Sequence, residues 1–146
     1  MIILIGLAGV YVFYFTGWFK PQIIQITHTS RAMRVGRHPG QKNNSATMPI
    51  AFGFDRAYRF SEIKVVPVAA LQTNKDVMPV WHLISDSNSV PAKFFFYGQR
   101  IRGMKSNVAG MSPEPLQPGV TYRLLVKSGS AKGQHDFQAV ASAPDP

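Results

Sequence analysis

The chain divides into two patterns of hydrophobic and polar positions. From Met1 to Phe19 there is no charged side chain, and the apolar residues run almost without interruption. After Lys20 the apolar positions recur at every second residue, and polar residues fill the gaps. The first pattern predicts a helix in an apolar medium. Ile2 to Phe19 would extend about 27 Å at ~1.5 Å per residue, close to the ~30 Å hydrocarbon core of a bilayer. The second pattern predicts strands. Ile24 and Ile26 flank Gln25, Met33 and Val35 flank Arg34, and Ile50, Phe52 and Phe54 flank Ala51 and Gly53. Further runs are Ile63 to Val68, interrupted by Pro67, then Val80 to Ile84, Phe94 to Tyr97, Tyr122 to Val126 and His135 to Val140. Loop formers separate them, most densely at His38-Pro39-Gly40-Gln41-Lys42-Asn43-Asn44-Ser45. The expected fold is mainly β, with one N-terminal transmembrane helix followed by an antiparallel β-sandwich of seven or eight strands. The expected divisions are an anchor over 1–20, a sandwich domain over 21–140 and a flexible tail over 141–146.

The apolar start reads as a retained anchor rather than a cleaved leader. A secretory signal carries a basic stretch before its apolar core and small residues at its end. Here no Lys or Arg precedes the run, and it closes on Trp18, Phe19 and Lys20, which suit a membrane interface and a headgroup contact. At about 100° per residue, Gly6, Gly9, Thr16 and Gly17 share one stripe of the helix, with Phe13 near its middle. Such a stripe lets a neighbouring helix approach closely. Arg31, Arg34 and Arg37 follow soon after, and the first acidic residue is Asp55. The excess of cations next to the span points to a single-pass protein of a bacterial inner membrane with a cytoplasmic domain, a periplasmic one being the alternative.

Composition narrows the functional classes. The 146 residues carry 16 Lys/Arg against seven Asp/Glu, a net charge of +9, and no cysteine. Disulfides and thiol chemistry are thereby excluded, and the surface favours anionic lipid or an acidic protein face. Arg100, Arg102 and Lys105 form a second basic group beside an aromatic strand, where Phe95 and Tyr97 are expected to form part of a docking edge. His28, His38, His82 and His135 show no metal-ligand spacing, and the scattered carboxylates offer no acid/base pair. His135 and Asp136, neighbours in a strand, point to opposite faces and do not form a dyad. No glycine-rich phosphate loop or nucleic-acid recognition element is present.

The segment Leu116-Gln117-Pro118-Gly119-Val120-Thr121-Tyr122-Arg123-Leu124-Leu125-Val126 resembles the approach to the sixth strand of fibronectin type III and related immunoglobulin-like sandwiches. The resemblance implies a corner at Leu116, Pro118 and Gly119 and a corner tyrosine at Tyr122 bonded back to the backbone, with Leu124 and Val126 in the core. Trp81 would be the core tryptophan. Only fold follows from it. The functional expectation is a non-enzymatic accessory or scaffold subunit without cofactor or metal. It would pack on integral membrane subunits of a larger complex, photosynthetic or respiratory. The alternative is a free-standing tethered module that binds a peptide, glycan or lipid.

Overall fold

The computed structural model describes residues 2–15, 17, 20–30, 47–86 and 89–142. Helix α1 spans Ile2–Phe15. Eight strands follow: β1 (Ile26–Ser30), β2 (Ile50–Tyr58), β3 (Glu62–Pro67), β4 (Trp81–Ile84), β5 (Ala92–Phe96), β6 (Lys105–Ser106), β7 (Thr121–Ser128) and β8 (Ala131–Gln138), with a short helix α2 (Val68–Thr73) between β3 and β4. They form two antiparallel sheets, a three-stranded one ordered β1-β2-β5 and a five-stranded one ordered β6-β4-β3-β7-β8.

The sandwich follows from the period-two pattern. Alternate residues of a strand face one side, so Ile50, Phe52 and Phe54 of β2 enter the interior together. Ile63 and Val65 of β3 and Tyr122, Leu124 and Val126 of β7 do the same from the opposite sheet. Phe95 joins them from β5 and Trp81 from β4. The Tyr122 hydroxyl accepts a hydrogen bond from the Gln117 amide at 2.9 Å, which ties the β7 entry to the turn before it.

The segment leading into β1 joins the two sheets. Ile24 N donates to Lys132 O at 2.9 Å, and Lys132 N donates to Gln22 O at 3.0 Å, so residues 22–24 lie along β8 of the five-stranded sheet. A few residues later the same segment pairs with β2 of the three-stranded sheet, Ile26 opposite Phe54 and Ser30 opposite Ile50. One continuous stretch therefore closes that side of the sandwich.

The transmembrane expectation is corrected here. Among the described residues no helix is long and apolar enough to cross a membrane. The 14 residues of α1 extend only about 21 Å at ~1.5 Å per residue, short of the ~30 Å core. The physical reason lies at Gly17, placed in the sequence reading on the helical stripe. Its φ is +54°, the left-handed conformation that ends helices, and Lys20 N turns back to its carbonyl at 2.9 Å. The single-pass location in a bacterial inner membrane falls with the span that supported it.

Two smaller differences concern the rest of the chain. No helix was expected after Lys20, yet Val68-Ala69-Ala70-Leu71-Gln72-Thr73 forms α2. Less than two turns is too short to display a 3.6-residue period, while Pro67, whose fixed φ suits a helix start, interrupts the strand. In the expected tail, Ala141 is bridged to Thr47. The expected strand around Met33 and Val35 lies outside the described residues.

Candidate functional site

Helix α1 is apolar on every side and none of its residues is buried. Leu7 is 64% exposed and Phe15 76%. Tyr11 and Phe15, four residues apart, stack at 5.1 Å between ring centroids, an ordinary same-face pair. A Cβ built on Gly6 or Gly9 meets nothing within 4 Å. The stripe of small residues is thus open along α1, and the sandwich does not cover it. Phe13 belongs to α1 as expected, whereas Gly17 lies beyond its end. Thr16, Trp18, Phe19, Arg31, Arg34 and Arg37 lie outside the described residues. Lys20 is exposed in the turn after Gly17. In the segment that follows α1, Ile23 is 73% exposed and borders a shallow recess of about 410 Å³ on the five-stranded sheet, lined also by Leu125 and Val126.

The aromatic strand β5 divides differently from the docking expectation. Phe95 is 1% exposed and sits among Phe52, Phe54, Phe60 and Trp81. Tyr97 packs against the core, and its hydroxyl donates to Glu114 O at 2.6 Å. Burial pushes that phenol well above its ordinary range. Facing the other way are Phe94, 66% exposed, and the half-buried Phe96, whose rings meet edge to face at 6.4 Å. Alternation settled that the two pairs face apart. It does not say which pair the second sheet covers, because both faces are aromatic and only the packing of the sheets distinguishes them.

A second feature joins the basic group to an open space. Arg100, Arg102 and Lys105 line a cleft of about 820 Å³ between β4 and the segment that connects β5 to β7. Lys105 is committed to Asp86 at 3.0 Å. Close by, Glu62 binds His82 Nε2 and Lys127 Nζ, each at 2.8 Å, and so links β3 to both its neighbours. Burial acts to raise the Glu62 pKa. The bonds from Lys127 and His82 outweigh it and hold the carboxyl below its ordinary value.

The third feature was not legible in the sequence. His28 of β1 and His135 of β8 meet with Nδ1 and Nε2 2.6 Å apart, one ring donating to the other. They bridge the two sheets on the side closed by residues 22–30. Asp136 points away, into a bidentate pair with Arg123 at 2.6 and 3.0 Å. Among the described residues no group of three or more His, Asp or Glu is gathered as for a metal. Partial burial and the nearby His28 hold His135 below the ordinary histidine value of 6.5, against a smaller upward pull from Asp136. In the unfolded chain the ring regains its ordinary affinity and binds more protons as pH falls below about 6.5. The contribution of His135 to stability is therefore present above that pH and declines as pH falls through its lowered folded-state value. Urea unfolding midpoints should drop between pH 7.5 and 5.5, and His135→Gln should make the drop shallower. A slope unchanged by that substitution would assign the acid sensitivity to other groups.

No family model, no curated protein and no solved structure matches this chain.

Proposed function

We propose that the protein is a non-enzymatic accessory subunit that docks through α1 onto the apolar surfaces of a larger membrane complex. The observation that carries the reading is the all-round apolar exposure of α1. A helix lying in the groove of a water-soluble partner needs one apolar face and keeps the other polar. One that is apolar on every side needs cover on every side, which the packed subunits of a larger complex supply. Gly6 and Gly9 allow a neighbouring helix to approach closely at no cost to the fold of this chain. The exposed Ile23 and its recess add apolar surface in the segment that follows α1. The net charge of +9 suits acidic faces or anionic headgroups beside that contact.

The strand order and the Tyr122 hydroxyl bond support treating the sandwich as a fibronectin type III-like scaffold, a rigid spacer on which contacts are mounted.

Native sizing after gentle detergent extraction tests the reading. The chain, 16.2 kDa alone, is expected to migrate within a particle several times that mass. Co-migration with pigment- or haem-bearing subunits would identify a photosynthetic or respiratory host. Leu7→Glu with Val10→Glu should release it, since each buried unpaired carboxylate costs several kcal/mol. The sandwich should keep its unfolding midpoint, because neither residue is buried in it. A 16 kDa monomer for the unmodified chain would sink the proposal.

A further inference from the structure

The segment between β5 and β7, which includes the edge strand β6, folds back along β4 of the five-stranded sheet. It is pinned there by Asn107 N to His82 O at 3.2 Å, Glu114 N to Val80 O at 2.9 Å and the Tyr97 hydroxyl to Glu114 O. The cleft left between this segment and β4, about 820 Å³, falls within the ~300–1,000 Å³ range of ligand sites. Among the described residues no Asp or Glu lines it. Arg100 and Arg102 do, both exposed, and among the described residues neither guanidinium has a hydrogen-bond or ion-pair partner. The half-buried Met104 and Met111 supply apolar lining, while Trp81 and Ile101 border the cleft but are largely taken up by the core.

We propose that this cleft binds an acidic segment of a partner protein, with one large apolar side chain seated between glutamate or aspartate residues. Each guanidinium presents a planar fork matched to a carboxylate. Methionine side chains adapt to whatever apolar group enters between them. Two observations favour polypeptide over a lipid headgroup. The cleft also offers neutral polar groups that an amide backbone can use: the serines at 106 and 112, and the Gln99 amide, whose oxygen is taken by Phe96 N and whose NH₂ remains a donor. In addition, it lies at the β4–β6 end of the sheet, while residues 22–24, which follow α1 in the chain, pair with β8, three strand spacings or about 14 Å away. The site does not depend on what α1 docks against.

The test is fluorescence anisotropy with the full chain in nonionic-detergent micelles. The probe is a labelled synthetic peptide alternating glutamate with leucine and phenylalanine. Saturable binding is expected, weakened at least about tenfold by Arg100→Glu with Arg102→Glu. An all-glutamate peptide of the same length should bind at least about tenfold more weakly, having no apolar anchor. Lys93→Glu with Lys132→Glu makes the same change in net charge away from the cleft and should alter binding by no more than about twofold at physiological salt. Met111→Glu gives a second variant in the cleft wall and should also weaken binding. Unchanged circular dichroism is required of all the variants. The proposal is overturned if the control pair weakens binding as much as the arginine pair, or if the all-glutamate peptide binds as tightly. It is equally overturned if phosphatidylglycerol vesicles displace the peptide with the same arginine dependence, which would make the cleft a lipid site.

Discussion

Replacing Phe95 with alanine is expected to cost about 3–5 kcal/mol, the range for deleting a buried aromatic ring. Phe95 is 1% exposed, and its ring lies 5.2 Å from Phe54, 5.7 Å from Phe60, and 5.8 Å from both Phe52 and Trp81. It stands on the three-stranded sheet while Trp81 stands on the five-stranded one, so the vacancy opens between the layers, where neither sheet can close it alone. Domains of this size hold together by ~5–15 kcal/mol in total. The loss should lower the thermal midpoint by roughly 10–20 °C. Phe94→Ala, one position away on the exposed side, is expected to cost less than about 1 kcal/mol, its ring touching mainly Phe96. The contrast is a test of register, because a shift of one residue exchanges the two faces of a strand. Comparable losses from the two variants, read by urea or thermal unfolding, would contradict the register of β5.

The second large effect is expected at Gly133. A Cβ there would lie 2.9 Å from both the Cβ and the carbonyl oxygen of Ile24, and 3.1 Å from Ile26 Cδ1. One of those atoms is backbone and cannot swing away. Gly133→Val should therefore push residues 22–24 off β8, costing about 1–3 kcal/mol by overpacking and breaking the Ile24–Lys132 hydrogen bond. Hydrogen exchange locates the damage. The Ile24 and Lys132 amides should lose protection, while amides in the pairing of β3 with β7 keep theirs. Full protection at Ile24 in the variant would show that the strand can bow enough to admit a side chain, and would remove the steric argument.

These two positions show what is legible along a chain and what is not. Alternation at Ile50-Ala51-Phe52-Gly53-Phe54 marks β2 and its inner face without reference to any other residue. Phe94 to Tyr97 shows the same alternation, yet both faces are aromatic, so the pattern alone leaves the buried side open. Gly133 gives no local sign that Ile24 will press against it, more than a hundred positions away. The contact of His28 with His135 spans 107 residues and has no spacing to detect. Hydropathy runs unbroken through Gly17 and the expectation followed it, but a backbone turned to φ +54° ends α1 regardless of how apolar the next residues are.

Periodicity and composition, then, were enough for an uncharged apolar segment, a β-patterned basic domain without cysteine, and most of the inward-facing residues. Those properties come from neighbours within a few positions, whose side chains alternate or cluster whatever the rest of the chain does. The folded molecule alone decided the end of α1, the buried side of β5, the crossing of residues 22–30 between the sheets, and the two arginines that, among the described residues, stay uncommitted on a cleft without acidic lining. Each of these depends on residues far apart in the chain or on a backbone conformation, and neither leaves a period to read.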